Sequence, residues 1–175
     1  MRTLAAAEGS AYECDWERAS GLDFHFFAVR HTGFVRTRRD PRETIWERGR
    51  SAFAFLVQEW GFEEPERTDN GLLYHRPGLH ISVEYWVWKN EAGFTTTVHG
   101  VDLDGRQRRA LLGCLYVACG LGPLQAVPED AGTQHTINKR IAQHANALRR
   151  VMPYLHDPAA GNLLSRCQGR QLPAD

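Results

Sequence analysis

Two turn signals between Leu72 and His99 divide that stretch into three runs of strand-favouring residues, and no other feature constrains the fold as tightly. Arg76-Pro77-Gly78-Leu79 separates Leu72–His75 from His80–Trp88. The segment Lys89-Asn90-Glu91-Ala92-Gly93 leads into Phe94–His99. The spacing predicts three adjacent antiparallel strands. The middle run alternates strictly, so the two faces of the sheet can be told apart.

Proline and glycine at the centre of a four-residue turn suit type II geometry, which predicts His75 opposite His80, Tyr74 opposite Ile81 and Leu72 opposite Val83. For the second hairpin, burial requires Phe94, Thr96 and Val98 on the same side as Val83, Tyr85 and Val87. A one-residue slip would send the apolar set to the polar face. This register predicts Ser82 beside His99, Glu84 beside Thr97 and Trp86 beside Thr95. The inner face then reads Leu72, Tyr74, Leu79, Ile81, Val83, Tyr85, Val87, Phe94, Thr96 and Val98. The outer face carries Leu73, His75, His80, Ser82, Glu84, Trp86, Trp88, Thr95, Thr97 and His99.

Helical signals flank the sheet. Asp40-Pro41-Arg42-Glu43 predicts a helix start, with Asp40 as cap, Pro41 in the first turn and Glu43 completing a capping box. Ile45, Trp46, Ala52, Phe53, Leu56 and Trp60 follow at near-helical spacing up to Gly61. Glu63 to Asn70 reads as a polar connection. Arg106 to Cys119 reads as a central helix, apolar nearly all round after Arg109, with Asp104 as its cap. From Thr133, the residues Ile137, Ile141, His144, Leu148, Val151 and Leu155 mark one face of a long helix interrupted at Pro153, and a short helix follows Asp157-Pro158. Residues 1–39 are an N-terminal arm or a hairpin, and 40–175 a single domain. The fold class is α+β: a three-stranded or larger antiparallel sheet packed against an N-terminal helix and a C-terminal helical half.

Composition narrows the function. The 175 residues suffice for one core, and the formal net charge is zero. Binding a phosphate backbone without sequence preference needs clustered positive charge, so nucleic acid is disfavoured. The one basic stretch, Arg30, Arg36, Arg38, Arg39, Arg42, Arg48 and Arg50, reads as a solvated surface or as an anion- or partner-binding patch. No apolar run approaches a membrane span, and the first residues lack a signal-peptide core, so the expected location is cytoplasmic. Cys14, Cys114, Cys119 and Cys167 form no C-x-x-C pair and are expected to be reduced. Phosphate-loop, nucleophile-elbow and dinucleotide fingerprints are absent. Asp102-Leu103-Asp104-Gly105 lacks the later acidic ligands of a calcium loop.

The chemistry of this chain is concentrated on the outer sheet face, for which three readings compete. It is a wet sheet surface. It is a partner-binding face with Trp86 and Trp88 as anchors and Glu84, Thr95, Thr97 and His99 as a polar surround. Or His75, His80 and His99 hold a metal for a small metal-dependent enzyme, with Glu84 orienting a ligand or acting as a base. The expectation is that no stoichiometric zinc is bound and no cofactor is needed.

The block Phe53–Glu63, then Leu73-Tyr74-His75, then Ile81-Ser82-Val83-Glu84-Tyr85 resembles small bacterial proteins found beside polymorphic toxins and read as immunity proteins. In those, a helix ending in a Tyr/Trp-Gly-Phe step enters a hairpin with an I-x-V-E-Y-like strand. Ala145–Leu155 is similar to their closing helix. The resemblance spans about residues 41–100 and 140–165 and rests on packing motifs. It implies a non-enzymatic protein that binds a partner stoichiometrically, often a neighbouring toxin, and no catalytic residues carry over.

Overall fold

A computed structural model of the chain describes residues 40–102, 104–157 and 160–167. The arm or hairpin expected over 1–39, and most of the basic stretch, lie outside the described residues. Within them, the elements run α1 (Pro41–Thr44), a π-helical turn (Ile45–Gly49), α2 (Arg50–Ala52), α3 (Phe55–Trp60), β1 (Glu66–Arg67), β2 (Gly71–Arg76), β3 (Leu79–Trp88), β4 (Glu91–Val101), β5 (Gln107–Leu111), α4 (Leu112–Ala118), a 3-10 turn (Leu124–Ala126), α5 (Gln134–His156) and α6 (Ala160–Arg166). The α+β class is confirmed. The sheet is larger than three strands: five antiparallel strands lie in the order β1-β2-β3-β4-β5.

The first hairpin has the predicted register, with Leu72 opposite Val83, Tyr74 opposite Ile81 and His75 opposite His80. Gly78 has φ +75°, the left-handed conformation that the third position of a type II turn demands. The second hairpin differs from the expectation by two residues. Trp88 pairs directly with Glu91, so the loop is Lys89-Asn90 alone, with Lys89 at φ +52°. His99 therefore stands opposite His80 rather than beside Ser82. Thr97 faces Ser82, Thr95 faces Glu84, and Gly93 faces Trp86. An even shift leaves every side chain on its face, which is why the burial pattern alone cannot detect it.

Two helical expectations are corrected. Asp40 does cap, accepting from the Arg42 N–H at 2.9 Å, and Gly61 closes the segment at φ +69°. Between them the helix is not continuous: it widens into the π-helical turn and breaks at Phe53, with φ −98° and ψ 10°. The break lets Phe53 and Phe55 both be buried, their ring centroids 6.3 Å apart, which a regular helix would not permit for residues two apart. Glu43 pairs with Arg67 of β1 instead of completing a capping box. The run read as a helix from Arg106 begins as β5 and turns helical only at Leu112. Asp102, not Asp104, organises the approach. Its Oδ1 accepts the N–H groups of Asp104 and Arg106 at 2.9 and 2.8 Å, and Arg108 binds Oδ2. These bonds, the Arg106 amide first, hold the Asp102 carboxyl below its ordinary range.

Helices cover the inner face. α5 starts with a reciprocal cap between Thr133 and Thr136 and runs through Pro153 without interruption to His156. Ile137, Ile141, His144, Leu148, Val151 and Leu155 are all buried, as predicted. Val87 is the exception on the inner face: it is 62% exposed, because the far end of the β3–β4 hairpin projects beyond the helical layer. Cys167 is buried, Cys114 and Cys119 are half-buried, and all three are free thiols.

His144 is a polar side chain inside the core. Its Nε2 donates to the Pro128 carbonyl at 3.1 Å, which leaves Nδ1 to accept from the Thr96 hydroxyl at 3.0 Å. Its ring packs edge-on against Phe94 at 4.8 Å. Burial pushes its pKa down to about 4. The unfolded chain takes up a proton near pH 6.5 that the folded chain refuses until about 4. Stability from this group is therefore complete above pH 6.5 and is lost as the pH falls towards 4, by about 3 kcal/mol. Denaturant unfolding of the wild type against His144→Gln should show it. The variant is less stable at pH 7, and its stability falls less steeply between pH 6.5 and 4. Parallel pH profiles would remove the assignment.

Candidate functional site

The outer face is laid out in rows, because directly paired residues on neighbouring strands share a face. The first row crosses four strands: His75 on β2, His80 on β3, His99 on β4 and Arg109 on β5. The next holds Leu73, Ser82, Thr97 and Leu111. Glu84 and Thr95 form the third. Trp86 lies over Gly93 in the fourth, and Trp88 and Glu91 end the hairpin. From one end to the other the face passes from imidazole and guanidinium through hydroxyls to a carboxylate and then to indole.

The sequence places His75, His80 and His99 on this face, and the structure brings them closer than predicted, into one row. Their geometry is that of a hydrogen-bonded pair with a third ring alongside. Nδ1 of His75 lies 2.6 Å from Nδ1 of His80, with the rings edge-to-face at 4.8 Å. One proton is held between the two nitrogens. Two nitrogens bound tetrahedrally to one zinc at about 2.0–2.1 Å would stand about 3.3 Å apart. Nε2 of His75 approaches Glu66 of β1 at 3.5 Å, too long for a well-made hydrogen bond. Among the described residues, no group of three or more His, Cys, Asp or Glu side chains is disposed to hold a metal ion. His99 is pushed below its ordinary pKa by burial, then by Arg109 and His80.

Around the middle of this face, Leu73, His80, Ser82, Glu84, Thr97, His99, Gln107 and Arg109 line an open depression of about 430 Å³. Gln107 and Arg109 contribute from β5, which reasoning from periodicity assigns to a helix. Asp104-Gly105, a strong hairpin dipeptide, is the signal that points to them. Thr97 is buried at the floor, so it shapes the depression more than it offers surface. Glu84 and Thr95 are half-buried.

The tryptophans are where the sequence places them. Trp86 is 36% exposed and Trp88 66%. Trp86 is seated by Gly93: a Cβ there would meet the indole Cζ2 at 2.2 Å. The backbone beneath is held from the other side, where Phe94 N–H donates to the Glu129 carbonyl and Ala131 N–H to the Ala92 carbonyl. Buried Arg140 clamps Asp130 through both carboxylate oxygens at 2.7 and 2.8 Å. Of the basic stretch, Arg50 is engaged: it pairs with Glu64 at 2.9 Å and lies over Trp46.

Comparison with protein-family models, with curated proteins and with solved structures returns no match, so the chemistry of the site stands on its own geometry.

Gly93→Ala should unseat the Trp86 indole. The expected result is a shift in tryptophan emission with a loss of about 1–3 kcal/mol in stability, the usual cost of forcing atoms into filled space. Trp86→Ala combined with Gly93→Ala should recover most of that loss. Additive losses would place the strain elsewhere.

Proposed function

We propose that this chain is a non-enzymatic protein-binding domain that acts as an immunity-like inhibitor of a partner toxin, using the outer face and projecting end of the β3–β4 hairpin. The observation that carries the reading is the run Trp86, Val87, Trp88 at that end, exposed on both faces of a hairpin that has left its own core. Covering the exposed part of Trp88 alone would bury roughly 130 Å² of indole, worth about 3 kcal/mol before entropic costs. Folding does not collect that energy; association can. Glu84 and Thr95 form the row beside Trp86 and supply polar groups, as the rim of an interface does, and His99 lies two rows beyond them. The zero net charge supports a protein partner over a nucleic acid. The resemblance of residues 41–100 and 140–165 to toxin-associated immunity proteins supports the more specific role.

The test is co-expression with the product of the adjacent gene in a growth assay, with binding measured on the purified pair. Wild-type chain should protect the cells and bind. Trp86→Ala and Trp88→Ala should each weaken binding by about 2 kcal/mol or more. Their melting temperatures should fall less than that of Val83→Ala, which leaves a cavity in the core. A folded double tryptophan variant that still protects and binds fully would overturn this assignment of the surface.

A further inference from the structure

We infer that the depression beside the tryptophans is a carboxylate-recognition site, in which Arg109, His99 and His80 take an acidic side chain of the protein partner; this rests on the protein-binding reading above. Three independent features converge there. The first is register. The direct pairing of His80 with His99 and of His99 with Arg109 sets three nitrogen-bearing side chains in line across β3, β4 and β5. The second is shape. Those three residues line one end of an open depression of about 430 Å³, large enough for a side chain of the partner, with Gln107 and Ser82 beside them and Glu84 at the other end. The third is charge. Arg109 is exposed and makes no ion pair among the described residues. Arg108, its neighbour on the opposite face, is bound to Asp102, and Arg140 to Asp130.

The charges on this face limit what the site can take. At neutral pH, Arg109 is the one fixed cation of the row, because His99 is held towards its neutral form by burial, Arg109 and His80. A single positive charge with neighbouring N–H and O–H donors matches a monovalent carboxylate better than a phosphate dianion. Glu84 stands two residue pairs along the strand from His80, about 13 Å away, and Glu66 lies beside His75 at the other border. A polyanion laid across the face would meet both carboxylates. A single carboxylate placed between Arg109 and His99 sits two rows from Glu84 and on the far side of His80 from Glu66.

The same layout makes binding depend on pH. The groups facing His99 are His80 on β3 and Arg109 on β5; beyond His80 stand His75 on β2 and Glu66 on β1, with Glu84 farther along β3. A bound carboxylate favours imidazolium, so proton uptake accompanies binding. Affinity rises as the pH falls and levels off once His99 is protonated in the free protein.

The experiment uses the full chain and a capped Gly-Gly-Glu-Gly-Gly peptide, which carries one carboxylate, at low salt, followed by the imidazole resonances of all histidines in NMR. Saturable shifts should appear at His80 and His99 and not at His135 or His156. The apparent affinity should be at least fivefold tighter at pH 6 than at pH 8. Arg109→Gln should weaken binding at least fivefold at both pH values, and His99→Gln should remove most of the pH dependence. Inorganic phosphate is the second probe. If it saturates the same resonances at tenfold lower concentration than the peptide, the site takes a phosphoryl group and the carboxylate assignment is overturned. Equal shifts at all histidines, or none, overturn the site altogether. Peptide binding persists if only the toxin-inhibition reading fails, and disappears if the depression is not a site.

Discussion

The β3–β4 pairing is the interaction on which the rest of this structure depends. It is the longest hairpin of the sheet, and its two-residue loop at Lys89-Asn90 leaves no slack in register. Once Trp88 is opposite Glu91, every other pair follows at fixed spacing. His80 meets His99, Ser82 meets Thr97, and Gly93 comes under Trp86. The inner side of the same hairpin supplies Ile81, Val83, Phe94 and Val98 to the core, all fully buried. The strand pairing that builds the hydrophobic core therefore also sets the spacing of the outer face.

The two faces are stabilised by different means. Inside, α5 and the broken N-terminal helix bury apolar side chains, with His144 as a polar post between Thr96 and the carbonyl of Pro128. That post ties β4 to the segment 128–131, whose backbone bonds to Ala92 and Phe94 in turn. Arg140 fixes the same segment through Asp130. Outside, the same stretch of β4 presents Gly93 and Thr95 beneath and beside the tryptophans. The segment that backs the proposed binding surface is thus fixed by polar bonds, and those made by His144 are buried and costly to break. A rigid platform of this kind lowers the entropic cost of engaging a partner.

In the proposed interface, the aromatic end and the Arg109 end of the outer face act over different ranges. Indole burial acts only at contact and scales with area. The charge of Arg109 and of protonated His99 acts over several ångströms and is screened by salt. Affinity in such an arrangement comes mainly from the tryptophans, and orientation from the charges, with Glu84 and Glu66 disfavouring partners of the wrong sign.

Much of this was legible in the chain. Period-two alternation fixed which face each residue of β3 occupies, because side-chain direction in a strand is local geometry. Pro77-Gly78 fixed the first register, since only one turn type suits that pair. Asp40, Gly61 and the stripe from Ile137 to Leu155 marked helical segments through caps and period, which are likewise local. The sequence alone did not reveal the second register, because Lys89–Gly93 admits loops of two residues or four, and both keep the apolar face inward. It did not reveal β5 either: Gln107-Arg108-Arg109-Ala110-Leu111 favours helix, and pairing with β4 overrides that preference. Nor did it show that Phe53 breaks its helix to bury two aromatic rings. What the chain determined by itself is the set of elements whose rules operate within a few residues. What the tertiary structure decided is which side chains from distant elements meet, His99 with His80 and Arg109 above all, because those choices depend on loop closure and packing between segments that no local pattern encodes.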